Sequence, residues 1–598
     1  MRTDMNSGIE WTLDSVYPGF ESAAYRADKE LLQKELEEFR SLFSGEVKEN
    51  EEAKFIRSLL SEYNRIGDLY ENLNAFVYSR YSAHTDDTAA LREINALEQI
   101  GVRLTDCMVL FRNTLASFER VIGTLCETNE DLKKYRFFIE EQIFLSSKQM
   151  DPPLENLAAD LKRSGAGAWS RMQDTLLSNT SIIWDEASGE KKTVTELRAL
   201  AHHPERSVRK LAFEKECSAL KEREIPFAYA LNGIKGAALT LDMRRGFSSS
   251  LSRSVIQSRI TEKALGALIS VMEESLPLFR RYLKLKAHIL GRERLAFYDL
   301  LAPVGVKGNS KTYSFEEAKD IILTAFSSFS PKLGEFAASA FANGWIDATP
   351  RIGKVGGAFC ISFPLARESR ILCNFGGSLG DVNTIAHELG HAYHHEILKD
   401  EEAALREYPM TLAETASIFS ENIVSHALLS SCTDSEKLTL TDQILQDATE
   451  VIVDILSRFY FERSVFEKRK DGELSAAEFK TLMLEAQKAT YGDALNETEL
   501  HPYLWAVKSH YYDADLSFYN YPYAFGLLFG LGLFSLYQAQ PEGFAERYET
   551  ILAFTGKANA VDVVKKAGFD IETEEFWRNG IEVIRKHIHE FEHLVQQA

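Results

Sequence analysis

Asp381-Val-Asn-Thr-Ile-Ala-His387-Glu388-Leu-Gly-His391-Ala-Tyr-His394-His395-Glu396 is the stretch from which this 598-residue chain is read. Val382, Ile385, Ala386, Leu389 and Tyr393 recur at helical spacing and form one apolar stripe. At about 100° per residue, His387 and His391 fall roughly opposite that stripe, so they face water or a cleft. Residues i and i+4 stand one turn apart on one helix face, which lets two imidazoles share a metal ion. Glu388 then lies beside the metal, placed to take a proton from a bound water. Asp381 or Asn383 is the expected helix cap.

A catalytic metal of this kind needs a third protein ligand and an open position. The close-spaced pattern H-E-x-x-H-x-x-G-x-x-H is excluded, because His394 stands where its glycine belongs and Ile397 where its third histidine belongs. His394 and His395 read as surface groups or as supports for the ligands. A carboxylate on a following helix is left, with Glu401, Glu402, Glu407, Glu414 and Glu421 as candidates. Glu401 and Glu402 leave no room for a turn and a returning helix, and Glu407 precedes Tyr408-Pro409, an extended or turn pair. Glu414 lies in a helical run after that proline, with Ser417 and Glu421 on its face. Thr411-Leu-Ala-Glu414 also reads as a capping box, which would fold the carboxylate back onto its own helix.

H-E-L-G-H followed by Glu414-Thr-Ala-Ser-Ile-Phe-Ser-Glu421 resembles the M3 family of zinc metallopeptidases, most closely its oligoendopeptidase F group. The opening Glu10-Trp-Thr-Leu-Asp-Ser-Val-Tyr-Pro18, the Leu73–Thr88 segment and Ala296–Pro303 resemble the same group. The resemblance implies one zinc ion held by His387, His391 and Glu414, with Glu388 as general base and Glu421 steadying a ligand histidine. It also implies a mainly α-helical, two-lobed protein enclosing a deep substrate channel, with short peptides as substrates.

Two other stretches acquire meaning beside that resemblance. Gly353–Pro364 and Arg370–Phe375 read as two short strands, and the glycines suggest close backbone approach. An extended peptide can add to an exposed strand edge. Gly356 to Phe359 is the expected edge, with Gly356, Gly357 and Ala358 as substrate contacts; ordinary turn glycines are the competing account. Trp505 to Gly526 carries His510 and many tyrosines, whose hydroxyls suit an oxyanion. A core helix rich in aromatics would look the same. By resemblance, His510, Tyr519 and Tyr523 contact substrate and transition state; Tyr521 could replace either tyrosine, and Pro522 could bend the segment.

Composition narrows the remaining classes. A net charge of −21 argues against a nucleic-acid partner. The six cysteines form no C-x-x-C pair and read as free thiols in a reducing compartment. Met1–Pro18 carries Asp4, Glu10 and Asp14 and no apolar core, so it does not read as a signal peptide. The longest apolar run, Tyr523–Tyr537, falls short of the roughly 18–20 residues that span a bilayer. The expected location is the cytoplasm. Lys29–Phe43 reads as an amphipathic helix, and Arg198–Lys221 and Ile260–Leu290 read as helices, the last capped by Thr261. Asp151-Pro-Pro153 breaks the N-terminal helices, and Thr180–Trp184 is β-prone. The expected division is an N-terminal helical region over 1–195 and a catalytic region over 196–598. The activity expected is zinc-dependent cleavage of internal bonds in oligopeptides. A zinc carboxypeptidase, or less plausibly an inactive peptide-binding relative, is the alternative.

Overall fold

The computed structural model describes residues 9–45, 47–48, 50–305 and 312–597. Residues 1–8 lie outside them, and with them Asp4 of the N-terminal reading. The structure is 71% helical, with small sheets. Two compact units each draw on three segments of chain. The first takes Met1–Glu155, Ser310–Ser430 and Leu536–Phe569; the second takes Asn156–Asn309, Ser431–Ser535 and Asp570–Ala598.

In the first unit the N-terminal amphipathic pattern becomes the helix Ala23–Leu42, capped by Ser22. It buries Leu32, Leu36 and Phe39 against the helices Glu52–Ala83 and Thr88–Ser117. Phe363, Ala404 and Leu405 join that core from far along the chain. Burial of each large apolar side chain contributes about 1.5–3 kcal/mol. A three-stranded sheet has Glu368–Leu372 in the centre, parallel to Ile346–Asp347 and antiparallel to Phe359–Phe363. Its two longer strands pack on the helix Leu379–Leu398, which carries His387 and His391.

The first strand is shorter than the glycine-rich sequence suggests. Gly356 and Gly357 form a turn ahead of it, and Gly357 has φ of +79°, outside extended geometry. The turn is fastened from below. Asn374 Nδ2 donates to the carbonyls of Val355 and Gly357, each at 3.0 Å. The fully buried Lys354 ammonium reaches Asp347 Oδ1 at 2.7 Å and the Cys373 carbonyl at 2.6 Å. The expected edge over Gly356–Phe359 is therefore corrected: only Phe359 belongs to the strand.

The second unit packs Phe227, Leu231, Phe461, Phe479, Trp505, Tyr511 and Tyr512 into one core. Phe479 stacks on Trp505 with ring centroids 5.1 Å apart. Thr261 caps the helix Glu262–Ile289, accepting from the Ala264 N–H at 3.1 Å. The β-prone segment forms the strand Ser181–Asp185, paired antiparallel with Glu190–Thr193. No helix among the described residues is long and apolar enough to cross a membrane.

Candidate functional site

The helix Leu379–Leu398 starts earlier than its sequence suggests. Ser378 is the cap, and Asp381 sits three residues in as the return half of a capping box. Asp381 Oδ2 also accepts from the Gly376 and Ser378 N–H groups, at 2.9 and 2.8 Å, which fixes the entry into the helix. Val382, Ile385, Ala386, Leu389 and Tyr393 are all buried, as the stripe requires. His387 and His391 emerge on the other side, 24% and 18% exposed, with ring centroids 5.0 Å apart.

Glu414 comes from the next long helix, Met410–Ser431. Its Oε2 lies 3.2 Å from His387 Nε2 and 3.5 Å from His391 Nε2. The carboxylate points at the imidazoles, and Ser417 Oγ donates to it at 2.7 Å. Gly390 makes this reach possible. A Cβ there would come within 2.5 Å of the Ala416 carbonyl and 2.7 Å of Ser417 Cα, so the two helix backbones touch at this point. Gly390 bears no ligand atom, and its place between the two histidines is what marks it in the sequence.

The three donor atoms fit a small divalent ion. They lie within 4.8 Å of one another. Tetrahedral ligands at about 2.1 Å from a metal stand about 3.4 Å apart, close to the two His–Glu separations. Glu421 Oε2 is 3.3 Å from His387 Nδ1, a contact that leaves Nε2 free to ligate. The electrostatics match a site built for positive charge. Although burial opposes it, Glu414 and Glu421 hold the His387 imidazole well above its ordinary value. Although burial opposes it too, His387 and His391 hold the Glu414 carboxyl well below the carboxylate range. Glu388 is buried beside them, and burial raises its carboxyl above the ordinary value, with the two histidines pulling the other way.

His394 and His395 are not surface groups. His394 is fully buried, stacks on Tyr408 at 4.2 Å, and places Nε2 2.8 Å from Thr555 Oγ1. His395 Nδ1 is 3.2 Å from Ser369 Oγ on the sheet. Tyr393 donates to Glu549 Oε1 at 2.6 Å. These contacts anchor the far side of the helix, so the ligand face is held from behind.

His510, Tyr519 and Tyr523 form a second cluster, in the second unit. Ring centroids of His510 lie 5.0 Å from Tyr519 and 5.9 Å from Tyr523, and the tyrosines are 5.6 Å apart. Tyr523 Oη is 3.3 Å from His510 Nε2. Burial first, then Arg458 and Lys508, push the His510 imidazole down to about 4, so the ring is neutral at physiological pH. Tyr521 is corrected: its side chain is buried, with its hydroxyl 3.1 and 2.9 Å from Ser254 and Ser258 Oγ. It begins the helix Tyr521–Ala539 and turns inward, whereas Tyr523 is partly exposed. Pro522 lies in the first turn of that helix, where its missing N–H costs nothing.

The loop before this helix rests on a buried ion pair that has no local signature in the sequence. Lys235 Nζ reaches Glu462 Oε1 at 2.6 Å, both side chains 1% exposed. Glu462 also accepts from the Phe518 N–H at 3.0 Å and from Asn520 Nδ2 at 2.9 Å. Phe518 has φ of +56°, a strained conformation for a bulky residue, held by those contacts. Arg253 Nη2 adds a bond to Ser517 Oγ at 2.8 Å.

A model of peptidase family M3 matches residues 199–583, and an oligopeptidase F model matches residues 116–181. The chain is 26% identical over 408 residues to the chromosomal oligoendopeptidase F of Lactococcus lactis subsp. cremoris. That alignment takes in 67% of this chain and 66% of the relative's length. With oligopeptidase PepF of Bacillus subtilis it is 22% identical over 613 residues, covering 100% of this chain and 89% of the relative. The crystal structure of oligoendopeptidase-F from Enterococcus faecium superposes with a TM-score of 0.71 at 18% identity, covering 96% of this chain and 99% of that one. This last likeness concerns the fold.

Proposed function

Because the chain belongs to peptidase family M3, we propose that it is a zinc-dependent metalloendopeptidase cutting internal bonds of short oligopeptides. The observation that carries the reading is the His387–His391–Glu414 donor triangle with Glu388 buried beside it. Zinc bound there would supply Lewis acidity, lowering the pKa of water and polarising the scissile carbonyl. Glu388 takes the proton of the attacking water and returns it to the leaving amine. A carboxyl raised by burial is suited to hold that proton between the two transfers.

Glu421 orients His387 through Nδ1. His510, Tyr519 and Tyr523 are the candidates for donors to the substrate and its oxyanion; a neutral His510 can donate without carrying a charge. Gly356, Gly357 and Ala358 are the candidates for backbone contacts to an extended peptide, as the turn leading into an outer strand. On this reading residues 196–598 form the catalytic region and 1–195 a helical region before it, and the protein works on peptides in the cytoplasm.

Glu388→Gln tests the mechanism directly. The variant is expected to keep one zinc per chain and lose about 10²–10⁴-fold in turnover; undiminished turnover would remove Glu388 from the chemistry. The product test is mass spectrometry of a mixed oligopeptide digest, with chelator and with zinc restored. Internal cuts that vanish and return with zinc support the endopeptidase. Losses of single C-terminal residues would replace it with a carboxypeptidase.

A further inference from the structure

The second unit holds a cavity of about 120 Å³ whose lining includes Arg458 and Lys508, the charges that act on His510, but none of His510, Tyr519 and Tyr523. Its apolar wall includes Phe213, Leu283, Phe297, Leu300, Leu301 and Leu504, drawn from well-separated parts of the sequence. Its charged side includes Arg198, Glu450, Arg458 and Lys508. One part of the wall is a π-helical turn, Glu450–Asp454, inserted between the helices Asp434–Thr449 and Ile455–Arg469. Such widened turns occur frequently at functional sites.

The ions around this cavity are unequally satisfied. Arg458 is paired with Asp454 and also reaches Glu450 Oε1 at 3.0 Å. Arg198 Nη1 donates to Glu216 Oε1 at 2.7 Å, with the side chain 31% exposed. Lys508 is different. Its side chain is only 18% exposed, and its nearest ion-pair contact is Glu450 Oε1 at 3.7 Å, beyond hydrogen-bond reach. Among the described residues its ammonium makes no hydrogen bond. Its three donors are open to an anion in the cavity, and Arg458 Nε, buried in the same lining, has no hydrogen-bond partner among the described residues. At about 120 Å³ the volume beside Lys508 suits a compact apolar body no larger than a benzene ring, which an apolar cavity of about 150 Å³ accommodates.

We propose that this cavity binds a small monocarboxylate with an apolar body the size of a phenyl or isobutyl group. The carboxylate sits on Lys508 and Arg198, and the body lies against Phe213, Phe297 and Leu301. A free apolar amino acid and its deaminated acid share this chemistry, and Glu450 is placed to accept from the ammonium of the former. The proposal stands apart from the peptidase reading.

Isothermal titration of the full-length, metal-loaded protein with 3-phenylpropionate, L-phenylalanine and L-phenylalaninamide tests it. The expected result is a Kd at or below ~1 mM for at least one of the two acids, with the amide at least ~10-fold weaker because it lacks the carboxylate. L-Phenylalanine binding more tightly than 3-phenylpropionate identifies an amino acid as the natural class; the reverse order identifies the deaminated acid. Leu301→Trp, which fills the cavity, and Lys508→Met, which removes the cation, are each expected to weaken binding at least ~10-fold. Should Leu301→Trp fail to fold, Ala201→Trp in the same lining replaces it. Absence of heat and of any Tm shift with either acid at 10 Kd of the expected affinity overturns the proposal. So does binding that both variants leave unchanged, or that disappears when the metal is stripped.

Discussion

His387, His391 and Glu414 come from two long helices close together in sequence, Leu379–Leu398 and Met410–Ser431. His510, Tyr519 and Tyr523 instead sit on a stretch with only short helical turns before Tyr521. That stretch is tied down by Lys235, Arg253 and Glu462 from three other helices. The first site is positioned by backbone geometry and the second by buried polar contacts. Damage should therefore travel differently: at the first site through donor atoms and helix spacing, at the second through the loss of a distant carboxylate.

The largest effect is expected from Glu414→Ala. It removes one of three donors and should drop metal content well below one ion per chain, with turnover falling to background. Metal analysis and peptide cleavage on the same sample check it, and a full complement of zinc would show that another carboxylate ligates. Glu462→Gln should come next. It leaves the buried Lys235 ammonium without its anion, a loss of about 3–5 kcal/mol, read as a lower urea midpoint. Turnover should fall while metal content holds. Replacing both Glu462 and Lys235 with methionine should recover part of the stability but not turnover, because the Phe518 N–H and Asn520 amide still lose their acceptor. Lost zinc in Glu462→Gln would break the distinction between the two sites.

Gly390→Ala probes helix spacing without touching a donor. The added methyl group must push against Ala416 and Ser417, costing about 1–3 kcal/mol and weakening zinc about 10–100-fold, the scale seen when ligand support is disturbed. A zinc titration followed by thermal unfolding checks both. The smallest effect concerns acid. Burial opposes the charge on Glu216, but His501 and Arg198 overcome it and bring its carboxyl down to about 2. A depressed carboxyl contributes stability above its unfolded pKa of about 4.5 that is lost as pH falls toward 2. Glu216→Gln should flatten that part of the stability profile and leave the zinc affinity at neutral pH unchanged.

The same contrast decides what could be read from sequence. The stripe Val382–Tyr393 and the i,i+4 histidines repeat with the helix period, so the helix and its ligand face were visible in sixteen residues. Glu414 needed more: its capping-box alternative is equally local, and only the close crossing at Gly390 turns its carboxylate toward the histidines. Tyr521 could not be separated from Tyr519 and Tyr523 by pattern, because hydroxyl partners on Ser254 and Ser258 lie far away in the chain. The glycine edge failed for a related reason. A positive φ at Gly357 and the Lys354 and Asn374 tethers make a turn of residues whose composition also suits a strand. His394 looked like a surface group because its partner, Thr555, comes 161 residues later.

That last separation matters while the chain is being made. The first unit resumes at Leu536 only after the Ser431–Ser535 segment of the second has been synthesised. At roughly 5–20 residues per second, the helix Leu379–Leu398 waits on the order of ten seconds or more on the ribosome for Glu549 and Thr555 to fasten Tyr393 and His394. During that interval a nascent chain carries His387 and His391 on a helix whose rear face is unfinished, so the packing behind them is completed late in synthesis.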